Sequence, residues 1–152
     1  MEKPLEVQHE CEGAAGGTVL LVEDNPEVLA VCISMLVQLG YVVYAVSGAL
    51  AALDAIKSKN FDLVISDIVT PGGMNGAALA NAIRARKPEL PVLLATGLGP
   101  SSHTDYPNIR KPFDLSELSR IVARLIAEAK QPPGSNLVRL SEARRPSVRK
   151  TD

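Results

Sequence analysis

Four stretches of the chain carry side chains that could do chemistry together if the fold brings them to one place. They are the acid pair Glu23-Asp24, Asp67 at the end of FDLVISD, Thr96 in LLATG and Lys111 in RKPF. Three carboxylates held close together repel one another, by about 4 kcal/mol for each pair at roughly 4 Å and an effective dielectric near 20. Such a cluster makes sense only with a cation. Oxygen-only ligands suit Mg²⁺, which keeps waters and leaves coordination positions for a phosphoryl group. The hydroxyl of Thr96 and the ammonium of Lys111 then supply two groups to hold that phosphoryl. The set describes a carboxylate that attacks phosphorus, a metal that neutralises developing charge, and two groups that retain the product.

Each of these residues has a plainer reading. Asp67 alone could be a solvated carboxylate or a helix cap, Thr96 the end of a strand, and Lys111 a surface charge. The elements around them decide. Leu63, Val64 and Ile65 form a short apolar run of the kind buried on both faces of a parallel sheet, and Pro71-Gly72-Gly73 forces a turn beyond it. Thr18–Val22 reads as the first strand, with Asn25 and Pro26 as cap and first residue of a helix that Gly40 ends. Tyr41–Val46 is a second strand, followed by a helix capped by Ser47 with Leu50, Leu53 and Ile56 facing the core. Asn75 caps a helix carrying Leu79 and Ile83, and Val92–Ala95 is a fourth buried strand. Ile109-Arg110 is a short fifth strand. Asp114, with Glu117 three residues on, opens a helix with the apolar stripe Leu118, Ile121, Val122, Leu125 and Ile126. This alternation predicts an α/β fold with a parallel sheet, right-handed crossovers and helices on both faces. In such sheets ligands bind at the carboxyl ends of the strands, and that edge is where Glu23-Asp24, Asp67, Thr96 and Lys111 all fall.

Composition narrows the class. The chain has 152 residues, enough for one domain with tails. Aromatics make up only 3%, so the core must be aliphatic, and a net charge of −1 gives no general reason for nucleic-acid or membrane binding. No apolar run approaches the roughly 18 residues of a membrane span, and MEKPLEVQHECEG lacks the apolar core of a signal peptide, which points to a cytoplasmic protein. Cys11 lies in a polar arm and Cys32 inside a helical pattern, so a buried thiol at Cys32 is expected rather than a disulfide or metal site. His9 and His103 lie in polar stretches and read as solvent-exposed.

The pieces VEDNP, DLVISDIVTPGGMNG, LLATG and RKPF, in that order, resemble the receiver domain of two-component response regulators. The resemblance covers residues 18–130, leaving 1–17 as a disordered arm and 131–152 as a basic disordered tail. It implies a flavodoxin-like, doubly wound sheet of five parallel strands in the order 2-1-3-4-5. It implies Asp67 as phosphoacceptor with Thr96 and Lys111 beside it, Asp24 and Asp67 as direct Mg²⁺ ligands, Glu23 acting through water and the backbone carbonyl of Val69 as a further ligand. Lys111 would precede a cis peptide to Pro112. The implied partner is a sensor histidine kinase or a histidine phosphotransfer protein, and the implied role is a regulatory phosphoacceptor rather than an enzyme, beyond self-catalysed phosphorylation and dephosphorylation.

Two departures stand out. The interval from Thr96 to Lys111 is shorter than a receiver with a full fourth helix requires, so that helix is expected to be truncated or absent. Gly97–Asn108, rich in Gly and Pro, is expected to act as a conformational switch. The position three residues before the lysine, aromatic in the family, is Asn108, and Tyr106 is the nearest ring. Rival readings fit less well. The first strand leads into Glu23-Asp24-Asn25-Pro26 rather than G-x-G-x-x-G, which argues against a dinucleotide-binding fold. An aspartate-nucleophile phosphohydrolase would place a second acid at Val69. The stretch after residue 130 is too short for a helix-turn-helix module, so no DNA-binding domain is expected. A stand-alone regulator, a phosphorelay sink and the receiver segment of a hybrid histidine kinase all remain open.

Overall fold

A computed structural model describes residues 8–9, 16–69, 75–97 and 106–130. In chain order these form β1 (Gln8–His9), β2 (Gly17–Val22), α1 (Pro26–Gln38), β3 (Tyr41–Val46), α2 (Ala49–Ser58), β4 (Leu63–Asp67), α3 (Gly76–Arg86), β5 (Val92–Thr96), β6 (Asn108–Arg110) and α4 (Leu115–Ala129). The sheet order is β1-β3-β2-β4-β5-β6. Its five strands from β3 to β6 are parallel and follow the expected 2-1-3-4-5 order.

The layer into which each side chain packs alternates along the central strands, because successive side chains point to opposite faces. Val19, Leu21, Val43, Ala45, Leu63, Ile65, Leu93 and Ala95 pack with α1 and α4. Leu20, Val22, Tyr44, Val46, Val64, Val92 and Leu94 pack with α2 and α3. Both faces are covered, which is why the strands read as unbroken apolar runs in the sequence.

The helix signals act as their chemistry dictates. The Asn25 side chain accepts hydrogen bonds from the amides of Glu27 and Val28, and that of Asn75 accepts one from Ala78 N. Asp114 and Glu117 form a reciprocal capping box. Gly40 follows α1 at φ +96°, a backbone conformation that suits glycine.

The structure corrects three expectations. The sheet has a sixth strand: Gln8 and His9 pair antiparallel with Tyr44 and Val43, satisfying part of the β3 backbone that would otherwise end the sheet unpaired. This pair falls in a stretch expected to be disordered. The cap of α2 is Gly48, without a side-chain hydrogen bond, rather than Ser47. Its buried face is Ala49, Ala52, Leu53 and Ile56, and Leu50 is 73% exposed. The alanines hold the true i, i+3, i+4, i+7 stripe, and the larger Leu50 falls one step off it. The expectations for a truncated or absent fourth helix, for a switch across Gly97–Asn108 and for the tail concern residues 98–105 and 131–152, which lie outside the described residues.

Candidate phosphoacceptor site

The carboxyl ends of β2, β4, β5 and β6 bring the four stretches together. Glu23 leaves β2 with its amide donating to Val46 O at 3.1 Å. Its side chain turns inward, where only 4% of the residue remains exposed, and Glu23 Oε2 accepts a hydrogen bond from Asn25 N at 3.2 Å. Asp24 is exposed beside it. Asp67 closes β4 in register with Ala95 and is half-buried. Carboxylate oxygens of Glu23, Asp24 and Asp67 all lie within 4.8 Å of one another.

Lys111 reaches into this cluster. Its Nζ is 3.2 Å from Glu23 Oε1 and 3.4 Å from Asp67 Oδ2. The preceding strand is tied to β5, since Lys111 N donates to Thr96 O at 2.7 Å, and the Lys111–Pro112 peptide is cis, as expected. Burial disfavours the ammonium, but the Asp67 and Glu23 carboxylates outweigh it, and the net effect holds the Lys111 pKa above its ordinary value. Thr96 ends β5 with only 7% exposure. Val69 is 74% exposed, and its amide points to Asp67 Oδ1 at 3.4 Å. All the residues singled out in the sequence are therefore placed at one edge of the sheet.

Two residues of the site were not singled out. Gly76, at the start of α3, donates to Ile68 O at 2.6 Å. A Cβ on it would lie 2.5 Å from Asp67 O and 2.8 Å from Ile68 Cα. Only a residue without a side chain lets the helix come this close to the acceptor turn. The Asn75-Gly76 pair at a helix start was a signal for this, but it reads first as a cap. Ser66 Oγ donates to Asp67 O at 2.9 Å, steadying the same turn. Cys32 is buried beneath the site, as expected for a structural thiol. Desolvation first, then the nearby carboxylates of Glu23 and Asp67, push its pKa up to about 11, against the opposing pull of Lys111.

Comparison with known proteins agrees with this geometry. The family model of the response regulator receiver domain matches residues 19–123. The chain belongs to the response regulator receiver domain family. The DNA-binding transcriptional regulator NtrC of Rhizobium meliloti is 34% identical over 125 residues, covering 78% of this chain and 26% of its own length. The sensor protein GacS of Pseudomonas syringae is 34% identical over 120 residues, 70% of this chain and 13% of its own. The chain thus spans about a quarter or less of these relatives. Among solved structures, the receiver domain of the sensor histidine kinase PA1611 from Pseudomonas aeruginosa superposes with a TM-score of 0.68 at 29% identity, covering 74% of this chain and 99% of that one. That receiver holds a magnesium ion in its active-site cleft. TrrA of Thermotoga maritima, solved with Mg²⁺ and beryllofluoride, gives 0.65 at 30% identity over 71% and 97% of the two chains.

Proposed function

We propose that this receiver domain takes a phosphoryl group onto Asp67 from the phosphohistidine of a sensor histidine kinase or a histidine phosphotransfer protein, and that it signals by the change of conformation that follows. The observation that carries this reading is the convergence of Glu23, Asp24 and Asp67 on one point with Lys111 seated among them.

The donor set fits Mg²⁺. All three side chains offer hard oxygen ligands, and three carboxylates against one ammonium leave a surplus of negative charge at the strand ends. Asp24, Asp67 and the Val69 carbonyl would hold the ion directly, and the more buried Glu23 through water. When bound, the metal neutralises charge on the phosphoryl oxygens.

The chain's own groups supply the rest. An Asp67 carboxylate oxygen forms the new bond to phosphorus as the phosphorus–nitrogen bond to the donor imidazole breaks and its electron pair returns to the ring. Lys111, already charged and already at Asp67, transfers its contact to a phosphoryl oxygen, and Thr96 offers its hydroxyl to another. The chain thus acts as a regulatory phosphoacceptor, and any catalysis is confined to its own phosphorylation and dephosphorylation. For docking, an apolar depression of about 470 Å³ lies between α1 and Pro112-Phe113, lined by Val28, Val31 and Met35 and reaching Lys111. Val31 within it is 56% exposed, so a helical partner gains apolar contact right beside the acceptor.

Intact-mass measurement with a small phosphodonor and Mg²⁺, and then phosphotransfer profiling against histidine kinases and phosphotransfer proteins, tests the reading. One phosphoryl group on the wild-type chain and none on Asp67→Asn is the expected result. Equal uptake by both would overturn it.

A further inference from the structure

β3 ends the parallel part of the sheet, and its backbone tells which of its residues look outward. Val46 O accepts the amide of Glu23 at 3.1 Å, on the side of β2. In a strand, the N–H and C=O of one residue point to one side and those of the next residue to the other. Tyr44 and Val46 therefore face β2, and Val43 and Ala45 face the margin. Gln8 lies opposite Tyr44 and His9 opposite Val43, so the hydrogen-bonded rung is the one between His9 and Val43. Ala45 presents the next pair of groups to the margin. It is 0% exposed, as Val43 is, and a buried N–H and C=O require partners. Among the described residues, no strand residue lies opposite Ala45 on that side.

The chain is routed so that it can supply one. Gly16 N donates to Gly40 O at 3.4 Å, at the entry to β3. A Cβ on Gly16 would collide with the ring of Tyr41, and Gly17 sits at φ +117°. Two residues without side chains thus let the chain reach β2 by passing close over the start of β3. Upstream, Leu5-Glu6-Val7-Gln8 alternates apolar and polar residues, as a strand with one covered face does. Pro4, which has no amide donor, stands at its start. Carried outward, the register of Gln8 and His9 sets Val7 opposite Ala45 and Glu6 opposite Val46.

We propose that the margin of β3 is a strand-accepting surface filled by the chain itself: Leu5, Glu6 and Val7, which lie outside the described residues, continue β1 along β3, and Val7 exchanges both backbone hydrogen bonds with Ala45. The surface is independent of the acceptor chemistry at Asp67. A strand from any partner reaches β3 only by displacing Leu5–His9. The new outer margin carries the charge of Glu6 and starts at Pro4, two features that discourage a further strand from adding.

The experiment is NMR of the full chain, as wild type, Val7→Pro and Val7→Thr. In the wild type, the Hα atoms of Glu6 and Val46, a pair without hydrogen bonds, should show a cross-strand NOE, and the Ala45 amide should exchange as slowly as that of Val43. Val7→Pro removes the donor and should quicken exchange at Ala45 about tenfold, while Leu21 in the central β2 keeps its rate. Val7→Thr, which suits a strand equally well, should keep Ala45 protected. If Leu21 quickens too, Val7→Pro has lost the fold, and the wild-type NOE decides alone. Absence of that NOE, or an Ala45 amide indifferent to Val7→Pro, would overturn the proposal. In a mixture of differently labelled chains, an NOE between labels would assign the margin to a second copy's strand and overturn it as well.

Discussion

Lys111 Nζ lies 3.4 Å from Asp67 Oδ2, so the cation that completes the site is already paired with the carboxylate it is expected to serve. The same ammonium balances Glu23, which is almost wholly buried. Lys111 therefore has a structural duty as well as a chemical one, and the two can be separated.

Replacing Lys111 with Ala removes the countercharge of a buried carboxylate. In metal-free buffer the protein should lose about 1–3 kcal/mol of stability, the usual cost of an unpartnered buried group. Asp67→Asn removes one of the clustered negative charges, leaves the Lys111–Glu23 pair, and should raise the melting temperature in the same buffer. Calorimetry with a chelator present checks both signs. A stabilised Lys111→Ala variant would show that the ammonium contributes nothing to balancing the cluster.

Added Mg²⁺ should stabilise the unphosphorylated chain by mass action, by about 1.4 kcal/mol when free metal is ten times the dissociation constant. Asp24→Asn should remove most of that gain. Thermal melts across a Mg²⁺ series supply the measurement, and a gain equal in the variant would exclude Asp24 as a ligand.

Gly76→Ala should weaken the fold and the site together. The added methyl meets backbone atoms of Asp67 and Ile68, which cannot turn aside as a side chain could. Overpacking of this kind costs about 1–3 kcal/mol. Phosphoryl uptake should slow in the variant, because the acceptor turn itself must move. A melt and a phosphorylation time course on the same preparation would show whether the two losses travel together.

Stability should decline at alkaline pH. Cys32, Tyr41 and Lys111 all have pKa values raised in the folded state, the first two by burial and the third by its carboxylate partners against the opposing effect of burial. Each contribution is fully present below the group's ordinary pKa and is lost as pH rises through the folded value. For Cys32 the window runs from 9.0 to about 11, and its share is on the order of 2 kcal/mol. Urea denaturation between pH 8 and pH 11 should show the decline, with a shallower slope in Cys32→Ala. An identical slope would show that thiol ionisation is not coupled to folding.

The site was legible in the sequence because its residues fall at strand ends, and strand ends follow from apolar runs. Glu23, Asp24, Asp67, Thr96 and Lys111 each sit at or just beyond the end of a strand, so placing the strands placed the chemistry. The caps at Asn25, Asn75 and Asp114 were legible for a similar reason: each acts on amides two or three residues away. What escaped was set by contacts distant in sequence. The pairing of Gln8–His9 with β3 involves two polar residues with no apolar signal. The closeness of Gly76 to Asp67 is a contact between the start of a helix and the end of a strand nine residues earlier. In α2, Ala49 and Ala52 hold buried positions that carry little apolar signal, and Leu50 drew attention to the wrong face. Tyr106 was visible as a ring near the lysine, but its partners Asn81 and Arg84 lie on a helix two elements earlier.

The strands at the two margins of the sheet are short. β1 spans two residues and β6 three. A long, flat margin is a template on which the strand of another chain can add, rung by rung. Here either margin strand offers at most one or two rungs, too few to hold an incoming strand against its loss of freedom. Among the described residues, Gln8 and His9 cover only Tyr44 and Val43 of the six residues of β3. A partner seated on helix faces and loop ends would meet surfaces whose shape can change with the state of Asp67, whereas the ladder of a sheet would stay the same.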